Sequence, residues 1–67
     1  MKLWIARDKK GFLGLYREKP IWKKHSFLQI EDWFDAEFLS YLNPNDFPEV
    51  FFENSPQQVE LKLVDEK

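Results

Sequence analysis

Three groups of side chains in this sequence have the chemistry to act on something else. One is His25 with Ser26, Ser40 and Ser55, and a second is the acidic run Glu31, Asp32, Asp35 and Glu37. The third joins rings to cations: Trp4, Phe12 and Tyr16 with Lys9, Lys10, Lys23 and Lys24. Nucleophilic catalysis needs a Ser, Cys or Lys beside a base that a third group orients. His25 and Ser26 are neighbours in the chain, and in a strand neighbours point to opposite faces, so they cannot act as base and nucleophile. His25 reads as an ordinary surface or boundary histidine, and no enzyme is expected.

The acids fare little better. On a helix Glu31 and Asp35 lie one turn apart, where two carboxylates could hold a hard cation such as magnesium. The spacing lacks the alternating oxygen ligands and the glycine of a calcium loop, and a solvated acidic helix start accounts for it more simply. Gly11 and Gly14 are the only glycines and sit in or beside a turn, so no phosphate loop is present. With one histidine and no cysteine, neither a zinc site nor any cofactor is expected.

The third group has more substance, because nucleic-acid binding needs only neutralised phosphates and stacking platforms. Residues 1–25 carry eight Lys/Arg against Asp8 and Glu18, a net of +6, while residues 26–67 carry Lys62 and Lys67 against ten acids, a net of −8. Such asymmetry suits an anionic ligand for the basic part, but it equally suits two halves that neutralise each other in the fold. The whole chain is acidic at −2 and shows no signature of a known nucleic-acid module.

The elements that must position these residues begin with "KLWIARDKKGFLGLYRE". Two short apolar segments flank Asp8-Lys9-Lys10-Gly11, which predicts a hairpin over 2–18 with a type I turn and Gly11 left-handed. If Asp8 faces Phe12, then Arg7 faces Leu13, Ala6 faces Gly14, Ile5 faces Leu15, Trp4 faces Tyr16, Leu3 faces Arg17 and Lys2 faces Glu18. Leu3, Ile5, Leu13 and Leu15 then share one face, and Trp4, Ala6, Phe12, Gly14 and Tyr16 the other. Both faces are apolar, so the hairpin is either sandwiched or leaves one face for a partner. The small pair Ala6 and Gly14 beside Trp4 and Tyr16 predicts a shallow dent between aromatic walls.

Pro20 interrupts the second strand, and residues 26–30 are expected as a third. "EDWFDAEFLSYLN" aligns Phe34, Phe38, Tyr41 and Leu42 on one helical stripe with acids at its start, so a short helix is expected within 32–42; as a strand, 37–42 shows no clean alternation. "NPNDFPEV" has turn chemistry, with Pro44 placed to open a helical turn and Pro48 to end it. "FPEVFFENSP" is expected to be mostly extended, a lid whose Phe47, Phe51 and Phe52 pack against Trp4 or Trp33. "VELKLV" alternates as a half-exposed strand, and 58–64 is expected to complete the sheet, with 65–67 frayed.

Sixty-seven residues allow one small domain over 1–67, at a size where stability is marginal without extra help. Disulfides cannot supply that help, so twelve aromatic side chains, each able to bury roughly 200 Å², must dominate the core. No apolar run is long enough to span a bilayer, and "MKLWIARDKK" is charged by its seventh residue, so a cytoplasmic protein without membrane contact is expected.

"KLWIARD", "FPEV", "FENSP" and "VEL" together resemble short uncharacterised proteins of Bacteroides-type gut bacteria and their mobile elements. The likeness covers residues 2–8 and about 47–61. It implies a small cytoplasmic protein and assigns no activity, ligand or catalytic residue.

The expected architecture is therefore α+β: an antiparallel sheet of three to four strands with an N-terminal hairpin and one short helix. The expected role is non-catalytic, a protein-interaction or self-associating accessory module. A homodimer fits if the acidic segment 31–37 of one copy meets the basic segment 19–24 of another. The alternative is a nucleic-acid-binding module. The candidate interaction surface in either case is Trp4, Phe12, Tyr16, Lys9, Lys10, Lys23 and Lys24.

Overall fold

A computed structural model describes residues 1–60. These form six strands: β1 (Lys2–Arg7), β2 (Leu13–Tyr16), β3 (Ile21–His25), β4 (Ile30–Phe34), β5 (Phe38–Leu42) and β6 (Gln57–Glu60). A single 3-10 turn at Phe52–Asn54 precedes β6. β5, β2, β1 and β6 lie side by side in that order as an antiparallel sheet, and β3 pairs only with β4 in a separate hairpin.

The first hairpin forms as its turn residues dictate. Gly11 sits at φ 99°, its amide bonds to the Asp8 carbonyl at 3.1 Å, and the Asp8 amide bonds to the Phe12 carbonyl at 2.9 Å. The Asp8 carboxylate tightens the loop by accepting from the Lys10 and Phe12 amides. The pairs Arg7 with Leu13, Ala6 with Gly14, Ile5 with Leu15 and Trp4 with Tyr16 all form. Beyond Trp4 the expected partners part company: Leu3 and Lys2 pair with Val59 and Glu60 of β6, while the Arg17 amide bonds to the Glu37 carbonyl.

Being central, β1 and β2 are covered on both faces, which is why both read as apolar. On one face Ile5 and Leu13 pack under Val50, with Leu15, Leu42 and Val59 at the margins. On the other, Ala6 and Tyr16 pack under Trp33, with Trp4, Trp22, Ala36 and Phe52 around them. The 47–56 stretch does act as a cover, but its buried anchor is Val50, whereas Phe47 and Phe51 stay exposed. Phe52 packs edge-on to Trp22, ring centroids 4.7 Å apart, and lies 6.2 Å from Trp33.

The chain turns from one face to the other around Arg7. This residue has five N–H donors in a planar fork, and each set finds backbone carbonyls: Nε bonds to Val50 at 2.6 Å, Nη1 to Gly11 and Pro44, and Nη2 to Asp46 and Phe47. The 43–50 loop, tightened by turns closing at Asp46 and Val50, is thereby wrapped on a half-buried cation.

The expectation of an α+β fold with a helix within 32–42 is overturned: the described residues are mostly β, with no helix beyond the 3-10 turn. Asp35 is left-handed at φ 68°, which ends β4 and turns the chain into β5. The muddled alternation over 37–42 has a physical origin. Leu15 pairs with Ser40 but Tyr16 pairs with Phe38, so Leu39 is an extra residue, a bulge that shifts the side-chain phase midway along the strand. The third strand expected at 26–30 is likewise displaced. Residues 21–25 and 30–34 are the strands, and Ser26–Gln29 is the turn between them, with Gln29 left-handed at φ 57°. Of the strand expected at 58–64, residues 58–60 lie in β6; residues 61–64, and the fraying expected at 65–67, fall outside the described residues.

Candidate recognition cleft

A dent lies over Ala6 and Gly14 beside Tyr16, without Trp4 as a wall, and the second hairpin converts it into a cleft. Its floor is Ala6 and Gly14 of the sheet; its walls are Tyr16 and Trp33 on the inner side and Phe12, Phe38 and Tyr41 on the outer. Asp8, Asp32 and Ala36 complete the lining of a cavity of about 150 Å³. That is the volume at which an apolar protein cavity holds a molecule as large as benzene. An adjoining, shallower groove of about 470 Å³ shares Asp8, Phe12, Asp32 and Tyr41 and extends along Lys9, Lys10, Trp22 and Glu31.

Each wall is set by a local device. Gly14 is required because the Tyr16 ring leans back over it: a Cβ there would lie 2.9 Å from the ring and 3.0 Å from the hydroxyl. Trp33 is fixed by its indole N–H, which donates to the Arg7 carbonyl at 3.3 Å, and by edge contact with Trp22 at 5.2 Å. The outer rings form a continuous row: Tyr16 to Phe38 at 5.6 Å, Phe38 to Tyr41 at 4.8 Å, and Tyr41 to Phe12 at 5.9 Å. Phe38 and Tyr41 reach the same side, although three apart in a strand, because of the bulge at Leu39.

The row is exposed: Phe12 is 54%, Phe38 45% and Tyr41 66% accessible, against 7% for Tyr16. Asp32 lies at the rim, where one carboxylate oxygen accepts from the Trp33 amide at 2.8 Å. Asp8 uses one oxygen in its turn. The second oxygen of each carries no hydrogen bond or ion pair from a described residue, and neither does the Tyr16 hydroxyl. Burial pushes the Tyr16 phenol up to about 12, with the nearby Asp32, Tyr41 and Asp8 adding to the shift. The cleft is thus an aromatic cavity with a negative field, and no basic residue lines it.

Of the residues singled out in the sequence, Phe12 and Tyr16 line this cleft, and Lys9 and Lys10 border the adjoining groove. Trp4 does not join them: it is half-buried in the inner cluster with the Lys19 ammonium 5.6 Å from its ring. Lys9 is engaged by Glu31 at 3.1 Å and lies over Trp22 and Phe52, and its hydrogen bond holds the Glu31 carboxyl below the usual range. Lys23 pairs with Asp35 at 2.6 Å, and Lys24 faces Glu31 across the β3–β4 ladder. Asp8, Asp32, Trp33, Ala36, Phe38 and Tyr41 are the lining residues that the sequence reading does not bring together, and all but Asp8 lie in 32–42, read as a helix.

Glu31 and Asp35, considered as a cation pair on a helix, are each held by a different lysine. Among the described residues no group of three or more His, Cys, Asp or Glu is placed to hold a metal ion, and no helix is long and apolar enough to cross a membrane. No family model, no curated protein and no solved structure matches this chain.

Proposed function

We propose that this chain is a non-catalytic protein-recognition module whose partner docks in the cleft between the four-stranded sheet and the β3–β4 hairpin. The observation that carries this reading is the row of exposed rings, Phe12, Phe38 and Tyr41, along a concave surface in a domain short of core. Concave aromatic surfaces with few convergent polar groups are where recognition energy concentrates. Nucleic acid is the poorer occupant: the carboxylates of Asp8 and Asp32 border the rings and repel phosphate, while Lys9 and Lys23 are already paired. A cytoplasmic setting is proposed with it, on the absence of cysteine from the sequence.

Selection from a displayed library of random peptides tests this. The expected result is a set of peptides that bind the protein and lose at least about tenfold in affinity to the Phe12→Ala, Tyr41→Ala double variant, as befits loss of central aromatic contacts. Both rings are exposed, so that variant should still fold. Peptides indifferent to the double variant would place the docking surface elsewhere.

A further inference from the structure

We infer that the 150 Å³ cavity is a socket for the guanidinium group of an arginine on the partner protein. This rests on the proposed recognition role and adds to it the chemistry of the group recognised. Three observations converge on it.

The walls come first. Phe12, Tyr16, Trp33, Phe38 and Tyr41 offer π-faces and edges within one small cavity, and such surroundings attract a cation through the ring quadrupole more strongly as water is excluded. The charge comes second. Asp8 and Asp32 are the only ionised groups in the lining, both negative, so an anion is repelled and a neutral group gains nothing from them.

The third is the pattern of unused acceptors. Tyr16 is more than nine-tenths buried, its hydroxyl lies over Gly14 on the cavity floor, and that hydroxyl has no partner among the described residues. Among the described residues no buried side-chain polar atom lacks a partner, so this hydroxyl opens to the cavity, where a donor on the ligand can reach it. Together with the second oxygens of Asp8 and Asp32 it presents several acceptors and asks for several donors in one group.

A guanidinium has five donors in a plane, stacks on aromatic faces, and is more weakly hydrated than an ammonium, so it enters such a site at lower desolvation cost. A trimethylated ammonium has no N–H to give and would leave the Tyr16 hydroxyl unmatched. The chain's own arginines do not compete: Arg7 is consumed by backbone carbonyls and Arg17 pairs with Glu37 at 2.8 Å. The adjoining groove, which shares Asp8, Phe12, Asp32 and Tyr41, provides the track for the backbone carrying that arginine.

The test is an amide-resolved NMR titration of the full chain with four N-acetylated, C-amidated tripeptides of the form Gly-X-Gly. X is arginine, its neutral isostere citrulline, lysine or trimethyllysine. The expected result is saturable shifts at the Trp33 indole and the Gly14 and Asp32 amides with the arginine peptide, and affinity for citrulline weaker by at least about tenfold. Asp8→Asn combined with Asp32→Asn keeps the acceptor each turn needs and is expected to abolish the preference for arginine. Tyr16→Phe removes only the unpartnered hydroxyl, so it should fold normally and bind arginine several-fold more weakly. Equal binding of citrulline overturns the inference, and so does trimethyllysine binding as tightly as arginine, which would make the site an alkylammonium cage. If no cationic peptide shifts these signals while library-selected peptides without arginine still dock in the cleft, the guanidinium assignment falls and the recognition reading stands.

Discussion

Arg7 is half-buried and Tyr16 buried, and they differ in whether the protein bonds their polar groups. Arg7 meets carbonyls on Gly11, Pro44, Asp46, Phe47 and Val50. Lysine cannot reproduce that planar fork. Arg7→Lys is expected to cost about 2–4 kcal/mol, since several carbonyls lose a charged donor together. That is a large part of the roughly 3–10 kcal/mol a chain of this length commands. Urea denaturation measures the loss, and faster hydrogen exchange at the Asp46 and Val50 amides would locate it in the 43–50 loop. Tyr16 makes a different prediction, about pH. Its phenol is held up to about 12 in the folded state against 10.0 when exposed, so the folded protein retains a proton the unfolded chain gives up. Stability from this group is therefore complete below pH 10 and falls as pH rises toward 12. Stability profiles of wild type and Tyr16→Phe should separate only above pH 10, the variant declining less steeply. Gly14→Ala belongs here too. Its Cβ would sit 2.9 Å from the Tyr16 ring, and displacing a ring boxed in by Phe38 and Trp33 is expected to cost about 1–3 kcal/mol by denaturation.

At the scale of elements, the β3–β4 hairpin is the least self-sufficient part. Two strands alone are marginal in water, and this pair shares no ladder with the main sheet. What holds it is a wedge of rings, with Trp33 buried against Ala6 and Tyr16 and braced by Trp22 and Phe52. Trp33→Ala should therefore cost about 3–5 kcal/mol. The loss of hydrogen-exchange protection should be greater in β3 and β4 than in β1 and β2; uniform loss across all four would show the two units to be one. The first hairpin was legible because Asp8-Lys9-Lys10-Gly11 sets loop length and register together, and the register then dictates which residues share a face. β5 was not legible, because the bulge at Leu39 breaks the period that strand recognition relies on. The remaining aromatic spacing, Phe34, Phe38 and Tyr41, happens to fit a helical stripe. In the fold those three side chains are exposed, the reverse of what a packed helix face requires. The cleft was half legible for the same reason: its floor and the Phe12 and Tyr16 walls come from the readable hairpin, and the Trp33, Phe38 and Tyr41 walls come from the misread segment.

For the molecule as a whole, the charge asymmetry closes on itself. The ion pairs Lys9 with Glu31, Arg17 with Glu37 and Lys23 with Asp35 each join a base from residues 1–25 to an acid from 31–37 within one chain. All are exposed, so each contributes little to stability, but together they pair three of the eight bases of residues 1–25 with acids of the same chain. The aromatic content divides in a similar way. Some rings, such as Trp33 and Tyr16, build the core, while Phe12, Phe38 and Tyr41 are left at the surface around an acidic cavity. We propose that these rings are left at the surface because a partner covers them. The most direct measurement is an amide-resolved NMR titration at physiological salt, run in parallel with a peptide pool and with a pool of single-stranded and duplex oligonucleotides. Shifts with peptides at Phe12, Gly14, Trp33 and Tyr41, and none with oligonucleotides, are the predicted result. Shifts with oligonucleotides at these residues, and none with peptides, would contradict it.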